Sequence, residues 1–418
     1  MLEPFAGWVV RPRWAPRVVS GVYDAHTPAQ RRAIAAAEPY SYFNVTRSYE
    51  DVDGPVDLDT LVGEGAVALR RLLDADVFAP SGRRTLYAYR LGTGHGDGPA
   101  HHQLGVVGLV PVAAFTDRRI RLHEGTRPER TTLLSRHFEV VGAQSSPIAV
   151  TFRHVDAVTE VLEAASTRSP LLAHRDTGGD GTWVSHEVWE LEPSEVEAVT
   201  AALADTTMYV TDGHHRAAAA VDLRRRLGPS PVRDRALAAV FPDTALRVDA
   251  FHRLAPRPAG MDTDALVAAL TGVGILTEVA GPDEARPGRA GTVGVHLEGR
   301  WFRLDWGPPT SDDPVERLDV ERLRQRVLVP VLGVDEGVPG SPMRYLPDPT
   351  GVDELVRICR EEGCVGFLVH PVGVDDLMAV ADADRLMPPK SSYFTPKPRS
   401  GIFLRVLGTG ATAHLPAS

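Results

Sequence analysis

Cysteine and lysine are both nearly missing from this 418-residue chain. Its only cysteines, Cys359 and Cys364, are too far apart for a Cys-x-x-Cys pair, and no further cysteine could complete a zinc site. A disulfide scaffold and a structural zinc are therefore excluded. The only lysines, Lys390 and Lys397, lie close together, whereas arginine supplies positive charge everywhere else. Because an ammonium and a guanidinium are not equivalent, this placement indicates that a compact cation is needed in that segment.

Long apolar runs are also missing. No stretch approaches the roughly 20 residues that a membrane-spanning helix needs, and the first residues lack the basic and apolar parts of a secretory signal. We therefore expect a cytoplasmic protein with no membrane partner. The formal net charge of -10 would repel nucleic acid, so no nucleic-acid partner is expected. The sequence leaves the oligomeric state open.

The remaining composition is typical of a globular protein with more than one core. Apolar residues make up 43% of the chain and charged residues 24%. Residues 18–24 resemble a strand, Thr27-Pro28 opens a helix, and residues 84–90 and 104–114 form a predicted hairpin. Proline and glycine accumulate at residues 254–261. We predict a mixed α/β fold (α+β), with one domain at 1–255 and a smaller α/β domain at 256–418, whose 387–401 loop could return to the site.

A strand-to-helix junction is the clearest candidate site. Residues 206–210 read as a strand and 217–227 as a helix, and between them lie Asp212, Gly213, His214, His215 and Arg216. Glycine lets the backbone approach a ligand, and the free N–H groups of a first helical turn favour an anion. Three potentially cationic residues there oppose the helix dipole unless an anion compensates. We predict phosphate binding by this segment; the alternative is Asp212 as an N-cap beside internally bonded histidines.

His123 and Glu124 form a second candidate site. They fall at the end of a short predicted strand, just before a helix, where side chains of α/β proteins point into a cleft. Glu124 could act as a general base or a magnesium ligand, and a surface ion pair is the alternative. Thr126 and Glu129 fit a capping box for the helix that follows. We predict catalytic roles for Glu124 and His123, and the metal ligands stay open.

The segment 387–401 carries both lysines. Its four prolines forbid a regular helix, so the sequence predicts a stiff extended loop. Such a loop could clamp a polyphosphate, and we predict that Lys390, Ser391 and Lys397 bind phosphate. A surface loop without a ligand is the alternative.

Together these segments resemble the bacterial domain-of-unknown-function family numbered 1015. The resemblance runs from Tyr23-Asp24 through residues 123–126 and 212–216 to 387–401. Gly21-Val22 and Ser392 depart from the family pattern, so the roles of Tyr23 and Asp24 are left open. The Asp-Gly-His-His-Arg segment is also similar to the phosphate-binding signature of the ParB and sulfiredoxin superfamily, which includes free serine kinases that make O-phosphoserine.

This resemblance implies a ParB/sulfiredoxin-like core and a kinase reaction. The partners would be a small-molecule acceptor, most directly free serine, and a phosphate donor that could be ATP, ADP or pyrophosphate. Magnesium is the cofactor that phosphoryl transfer implies. Two other functions use the same residues: a nucleotide-binding regulatory module of ParB type, and a phosphoanhydride hydrolase with water as the acceptor.

Overall fold

The structure, a computed structural model, describes residues 1–338 and 340–418, except for the side chain of Asp24. Its contacts divide the chain into two units. The first comprises Met1–Leu246 together with Pro396–Ser418, and the second comprises Arg247–Thr395. The sequence placed the boundary after residue 255 and kept the C-terminus in the second domain. Both points are corrected, because residues 251–256 form a strand of the second unit and residues 403–406 form a strand of the first.

The helices and strands of the described residues follow in chain order. The helices are α1 (Ala15–Val18), α2 (Pro28–Ala37), α3 (Leu58–Asp74), α4 (Pro128–Val141), α5 (Asp156–Ala165), α6 (Pro193–Ala202), α7 (His214–Leu227), α8 (Thr263–Thr271), α9 (Pro282–Ala285), α10 (Asp319–Leu323), α11 (Val352–Glu362) and α12 (Val374–Asp382). The strands are β1 (Trp8–Val10), β2 (Phe78–Pro80), β3 (Tyr87–His95), β4 (His101–Pro111), β5 (Ile120–Arg121), β6 (Ala143–Gln144), β7 (Ile148–Phe152), β8 (Leu172–Thr177), β9 (Thr182–Glu190), β10 (Met208–Asp212), β11 (Arg235–Pro242), β12 (Val248–Asp249), β13 (Phe251–Pro256), β14 (Ile275–Val279), β15 (Thr292–Leu297), β16 (Arg300–Asp305), β17 (Arg344–Pro347), β18 (Cys364–Val369), β19 (Tyr393–Phe394) and β20 (Phe403–Val406).

An eight-stranded mixed sheet forms the centre of the first unit, in the order β5-β10-β7-β11-β4-β3-β9-β8. Strand β11 is apolar almost throughout, and its alternate side chains enter two separate cores: Ala236, Ala238 and Val240 in one, and Leu237, Ala239 and Phe241 in the other. Because successive strand residues point to opposite faces, both faces of the sheet are covered. Helices α5, α6 and α7 contribute to one core, and the four-stranded sheet β2-β1-β20-β6 contributes to the other.

The candidate site lies at the end of strand β10 in the large sheet. Strand β10 runs parallel to β5, with Met208 opposite Ile120, and antiparallel to β7, with Asp212 opposite Ala149. Strands β5 and β10 therefore end, and strand β7 begins, along the same side of the sheet. We call this row of strand ends the sheet edge. Residues 123–124, 212–216 and 145–147 meet there.

The second unit is built on a six-stranded antiparallel sheet in the order β14-β16-β15-β18-β13-β17. Leu355 and Ile358 of α11 pack with Leu254 of β13 and Leu368 of β18 in its core. The short ladder of β12 with β19 joins the two ends of this unit. None of the helices in the described part of the chain has both the length and the apolar character that a membrane crossing requires.

The mixed α/β class predicted from the sequence is confirmed, but two local predictions are wrong. The hairpin exists as β3 and β4, and Thr27 caps α2 with a capping box. Residues 18–24 are not a strand, since α1 ends at Val18 and a 3₁₀ turn begins at Tyr23. Thr126 does not cap α4: Pro128 sets the first helical position, Arg127 is the N-cap residue, and no side chain caps that helix.

Candidate functional site

Gly213 makes the junction between β10 and α7 possible. Its backbone has φ 97° and ψ 30°, in the left-handed region that favours glycine. A Cβ atom there would lie 2.7 Å from Arg216 Nε, so a side chain would also displace the arginine. Helix α7 begins at His214 without a side-chain cap. The first-turn N–H groups of a helix are the backbone donors that favour an anion, and here they begin at the sheet edge.

Asp212, at the end of β10, is held between two cations. Lys397 Nζ donates a hydrogen bond of 2.7 Å to Asp212 Oδ1, and Arg216 pairs with Oδ2. Arg216 Nη1 also donates to the carbonyl oxygen of Pro147 at 2.6 Å. Burial acts to raise the pKa of Asp212, but the charges of Lys397 and Arg216 outweigh it and hold that pKa well below its usual range. Asp212 is therefore ionised and binds two cations from distant parts of the chain.

Glu124 and His123 contact the first turn of α7 from the end of β5. Glu124 Oε2 lies 3.4 Å from His214 Nδ1, and the rings of His123 and His214 are perpendicular with centroids 4.5 Å apart. Burial lowers the pKa of both histidines to about 3, helped at His123 by the neighbouring His214. Both rings are therefore neutral near pH 7, while the Glu124 side chain keeps 34% of its surface exposed.

His215 joins the two helix starts. Its Nε2 accepts a hydrogen bond of 3.0 Å from the backbone N–H of Arg127, the N-cap residue of α4. The sequence suggests three cations in the first turn of α7. In the structure His214 is neutral, His215 accepts a hydrogen bond, and Arg216 is paired with Asp212. Asp212 therefore supplies part of the negative charge that balances the cationic residues of this turn.

The lysine segment is divided between the two units. Lys397 lies in the first unit, at Asp212, whereas Lys390 and Ser391 lie in the second. Ser391 is 2% exposed, and its hydroxyl donates to the carbonyl oxygen of Pro388 at 2.7 Å. Buried Arg253 donates to the carbonyl oxygens of Pro389 and Lys390 and fixes this turn. These contacts give Ser391 a structural role, and phosphate binding by Lys390 and Ser391 stays a prediction.

Tyr23 belongs to a cluster that the sequence did not predict. Its hydroxyl donates to Asp51 Oδ2 at 2.5 Å, and Arg31 Nε donates to Asp51 Oδ1 at 2.7 Å. The guanidinium of Arg130, in the first turn of α4, lies 4.8 Å from the centre of the Tyr23 ring. Tyr23 thus contacts the helix that follows Glu124. The side chain of Asp24 lies outside the described part of the structure.

A second buried polar cluster flanks the C-terminal segment. Arg399 pairs with Asp176, whose Oδ1 lies 3.0 Å from His174 Nε2. The His174 ring is stacked near His186, which is hydrogen-bonded to the hydroxyl of Tyr89 at 2.8 Å. Alternation along the strands could have marked these as inward positions, but no sequence signal joins Arg399 to β8. The carbonyl of Pro147 was also missed, because a backbone acceptor leaves no residue-type signature.

No metal centre can be assigned from side chains alone. Within residues 1–338 and 340–418, no group of three or more His, Cys, Asp or Glu side chains is placed to hold a metal ion. Any cation at the sheet edge would take part of its coordination from other donors, such as water or a bound ligand.

The fold and the sheet edge define a mixed α/β protein in which a helix without a side-chain cap follows strand β10. Residues 2–321 match the family described as "Protein of unknown function (DUF1015)", and the chain belongs to that family. No curated protein matches the sequence.

Several solved structures resemble the fold at low identity. A mutant free serine kinase in complex with ADP is 14% identical with a TM-score of 0.34, covering 72% of this chain and 92% of that chain. SbnI with C-terminal truncation from Staphylococcus aureus is 14% identical with a TM-score of 0.38, covering 72% and 88%. A conserved hypothetical protein from Pyrococcus furiosus is 13% identical with a TM-score of 0.32, covering 71% and 93%. Similarity at this level concerns the fold alone.

Proposed function

We propose that this protein transfers a phosphoryl group from a nucleotide or pyrophosphate to the hydroxyl of a small molecule. The observation that carries the proposal is the meeting of Glu124 with the uncapped first turn of α7 at one sheet edge. We take residues 212–216 as a phosphate-binding signature of ParB/sulfiredoxin type. Free serine as the acceptor, with O-phosphoserine as the product, rests on the resemblance of that segment to free serine kinases.

The donor phosphates would bind at the start of α7. The first-turn N–H groups and the helix dipole favour an anion there, and Gly213 lets the phosphate approach the backbone. Lys397 and Arg216, both bonded to Asp212, place two cations beside this helix start. Two of the five N–H donors of Arg216 are used in the bonds to Asp212 and Pro147, so its guanidinium keeps donors for a ligand.

Glu124 would act as the general base. The buried, neutral His214 can donate its Nδ1–H to this carboxylate and orient it without taking up a proton. Glu124 would accept the proton of the acceptor hydroxyl while that oxygen attacks the terminal phosphorus. The bond from phosphorus to the leaving phosphate oxygen breaks, and Lys397 with the helix N–H groups stabilises the developing charge. His123, packed against His214, would position that ring.

Magnesium would be held at this edge mainly by the donor phosphates and water, since Glu124 is assigned to the proton transfer. Mg²⁺ is commonly held by one or two carboxylates together with substrate phosphates and water, so a protein cluster of three ligands is not required. When bound, the ion would neutralise charge on the donor phosphates.

Phosphorus NMR tests the proposal directly. The purified protein would be incubated with MgCl₂ and with ATP, ADP or pyrophosphate, each with and without L-serine. We expect a phosphomonoester signal that depends on serine. Serine-independent release of orthophosphate would replace the kinase proposal by a hydrolase, and tight nucleotide binding without turnover would replace it by a regulatory module.

Two variants separate binding from chemistry. Glu124→Gln should lower kcat by about 10²- to 10⁴-fold with little change in donor affinity, since a general base contributes about that much. Glu129→Gln is the matched control, because this exposed glutamate lies in the first turn of α4 and should leave kcat unchanged. Arg216→Met should weaken donor binding instead. Equal loss of donor affinity in the Glu124 and Arg216 variants would refute the division of roles.

A further inference from the structure

A cavity of about 190 Å³ lies beside the C-terminal half of α7 in the first unit. Its wall has an apolar part and a charged part. The apolar side chains are those of Ala220, Leu223, Leu227, Val232 and Leu407, and the charged ones are those of Glu139, Arg233, Arg235 and Arg405. None of these residues belongs to the proposed phosphate site.

Arg405 is the unusual member of this wall. It is 1% exposed, and its guanidinium donates to three neutral oxygens: Gln144 Oε1 at 2.9 Å, the Arg235 carbonyl at 2.7 Å and the Val232 carbonyl at 2.6 Å. In the described part of the chain no carboxylate pairs with it, and its Nε has no hydrogen-bond partner. A buried charge without a counter-charge is costly, so the surroundings favour an anion.

The other charges around the cavity do not supply that anion. Arg235 is already paired with Glu3 at 2.6 Å, and Glu139 is shared between Arg136 and Arg226, each at 2.9 Å. Arg233 donates to the carbonyl oxygen of Gly228 and, among the described residues, pairs with no carboxylate. Burial, together with the charges of Arg235 and Arg84, lowers the pKa of Arg405 to about 9. The charge at the cavity is therefore positive and incompletely balanced.

We propose that this cavity binds a compact amphipathic monocarboxylate, with its carboxylate on Arg405 and its apolar group against the leucines. Arginine presents a planar fork that matches a carboxylate, which makes it well suited to this ligand. An apolar cavity of about 150 Å³ can hold benzene, so about 190 Å³ suits a single ring or a short branched chain. The proposal does not depend on the phosphoryl-transfer function.

Benzoate is the probe, and benzamide is its neutral control of nearly the same shape. Isothermal titration calorimetry of the full chain at constant ionic strength should show saturable binding of benzoate at one site. Benzamide should bind at least tenfold more weakly, because it lacks the charge that Arg405 would meet. Equal affinities for the two probes would overturn the proposal.

Three variants test the site itself. Arg405→Gln should lower benzoate affinity at least tenfold and bring it close to that of benzamide. Ala220→Leu should abolish binding by filling the cavity while Arg405 stays in place, which keeps the test valid if Arg405→Gln does not fold. Arg225→Gln removes a charge from an exposed position of the same helix and should leave benzoate affinity unchanged. Benzoate binding that persists in a folded Ala220→Leu protein would place the ligand elsewhere and refute the assignment.

Discussion

Replacing Asp212 by asparagine removes the negative charge that Lys397 and Arg216 share. Both cations would then lose this carboxylate, although asparagine keeps the shape of their hydrogen-bonding partner. The side chains of Asp212, Lys397 and Arg216 are 24%, 12% and 18% exposed, so solvent screens them only in part. We expect Asp212→Asn to destabilise the protein strongly.

The magnitude follows from the burial of the cluster. Breaking a fully buried ion pair by removing one partner costs about 3–5 kcal/mol. Because these side chains retain some exposure and the lysine can turn toward water, we expect a loss of about 2–4 kcal/mol in the free energy of unfolding at pH 7. Urea denaturation of the full chain, followed by circular dichroism, measures this loss.

The pH dependence gives an independent check on the same cluster. The folded pKa of Asp212 is lowered, so its contribution to stability is fully present above the unfolded pKa of about 3.9 and is lost as the pH falls toward the folded value. The difference between wild type and Asp212→Asn should therefore be constant from pH 7 to about 5 and should shrink below about pH 4.

Asp222→Asn is the matched control. Asp222 lies on α7 and pairs with Arg226 four residues later, as Asp212 pairs with Arg216, but its arginine partners Arg225 and Arg226 are 77% and 36% exposed. Asp222 itself is 18% exposed and also accepts from Ser135, but both of its arginines can turn into water when it is replaced, so the loss should be smaller, about 1 kcal/mol. Equal losses of stability in the two variants would show that the contacts of Asp212 with Lys397 and Arg216 contribute no more than an ordinary ion pair. A loss for Asp212→Asn that is the same at pH 3 and pH 7 would show that the charge of Asp212 does not cause it.

Two further predictions concern the backbone of the site and the cysteines. Gly213→Ala should lower the free energy of unfolding by about 1–3 kcal/mol, because alanine is strained at φ 97° and its Cβ would displace Arg216; an unchanged melting temperature would contradict this. Diamide should join Cys359 to Cys364, whose sulfurs lie 3.4 Å apart, with the two thiol protons and two electrons passing to the reagent. A thiol count of two after long exposure would show that burial prevents the reaction.

The sequence predicted the local elements of the site well, because their signals are local. The alanine-rich run after Arg216 and the following Gly228 are typical helix signals, and α7 ends at Leu227 with Gly228 as its C-cap residue. The glycine at the junction was also expected for a close backbone approach, and its positive φ agrees with that reasoning.

Other properties of the site depend on contacts between distant parts of the chain. The neutrality of His214 follows from burial, and the amino-acid order does not reveal which residues bury it. The cap of α4 was predicted at Thr126, yet Arg127 takes that position and its N–H is bonded to His215, 88 residues away. The pair of Arg399 with Asp176 spans 223 residues. Such pairings are set by strand order, which the periodicity of single segments does not encode.

The division of the chain bears on the order in which the protein is completed during synthesis. The second unit is inserted between two parts of the first, so strand β20 and Lys397 are made only after residues 247–395. Domains generally fold as units while the chain is still being made. Strand β1 therefore lacks its neighbour β20, and Asp212 lacks its contact with Lys397, until the ribosome has passed the second unit. A chain interrupted within the second unit would carry residues 212–216 but not the lysine that bonds to Asp212.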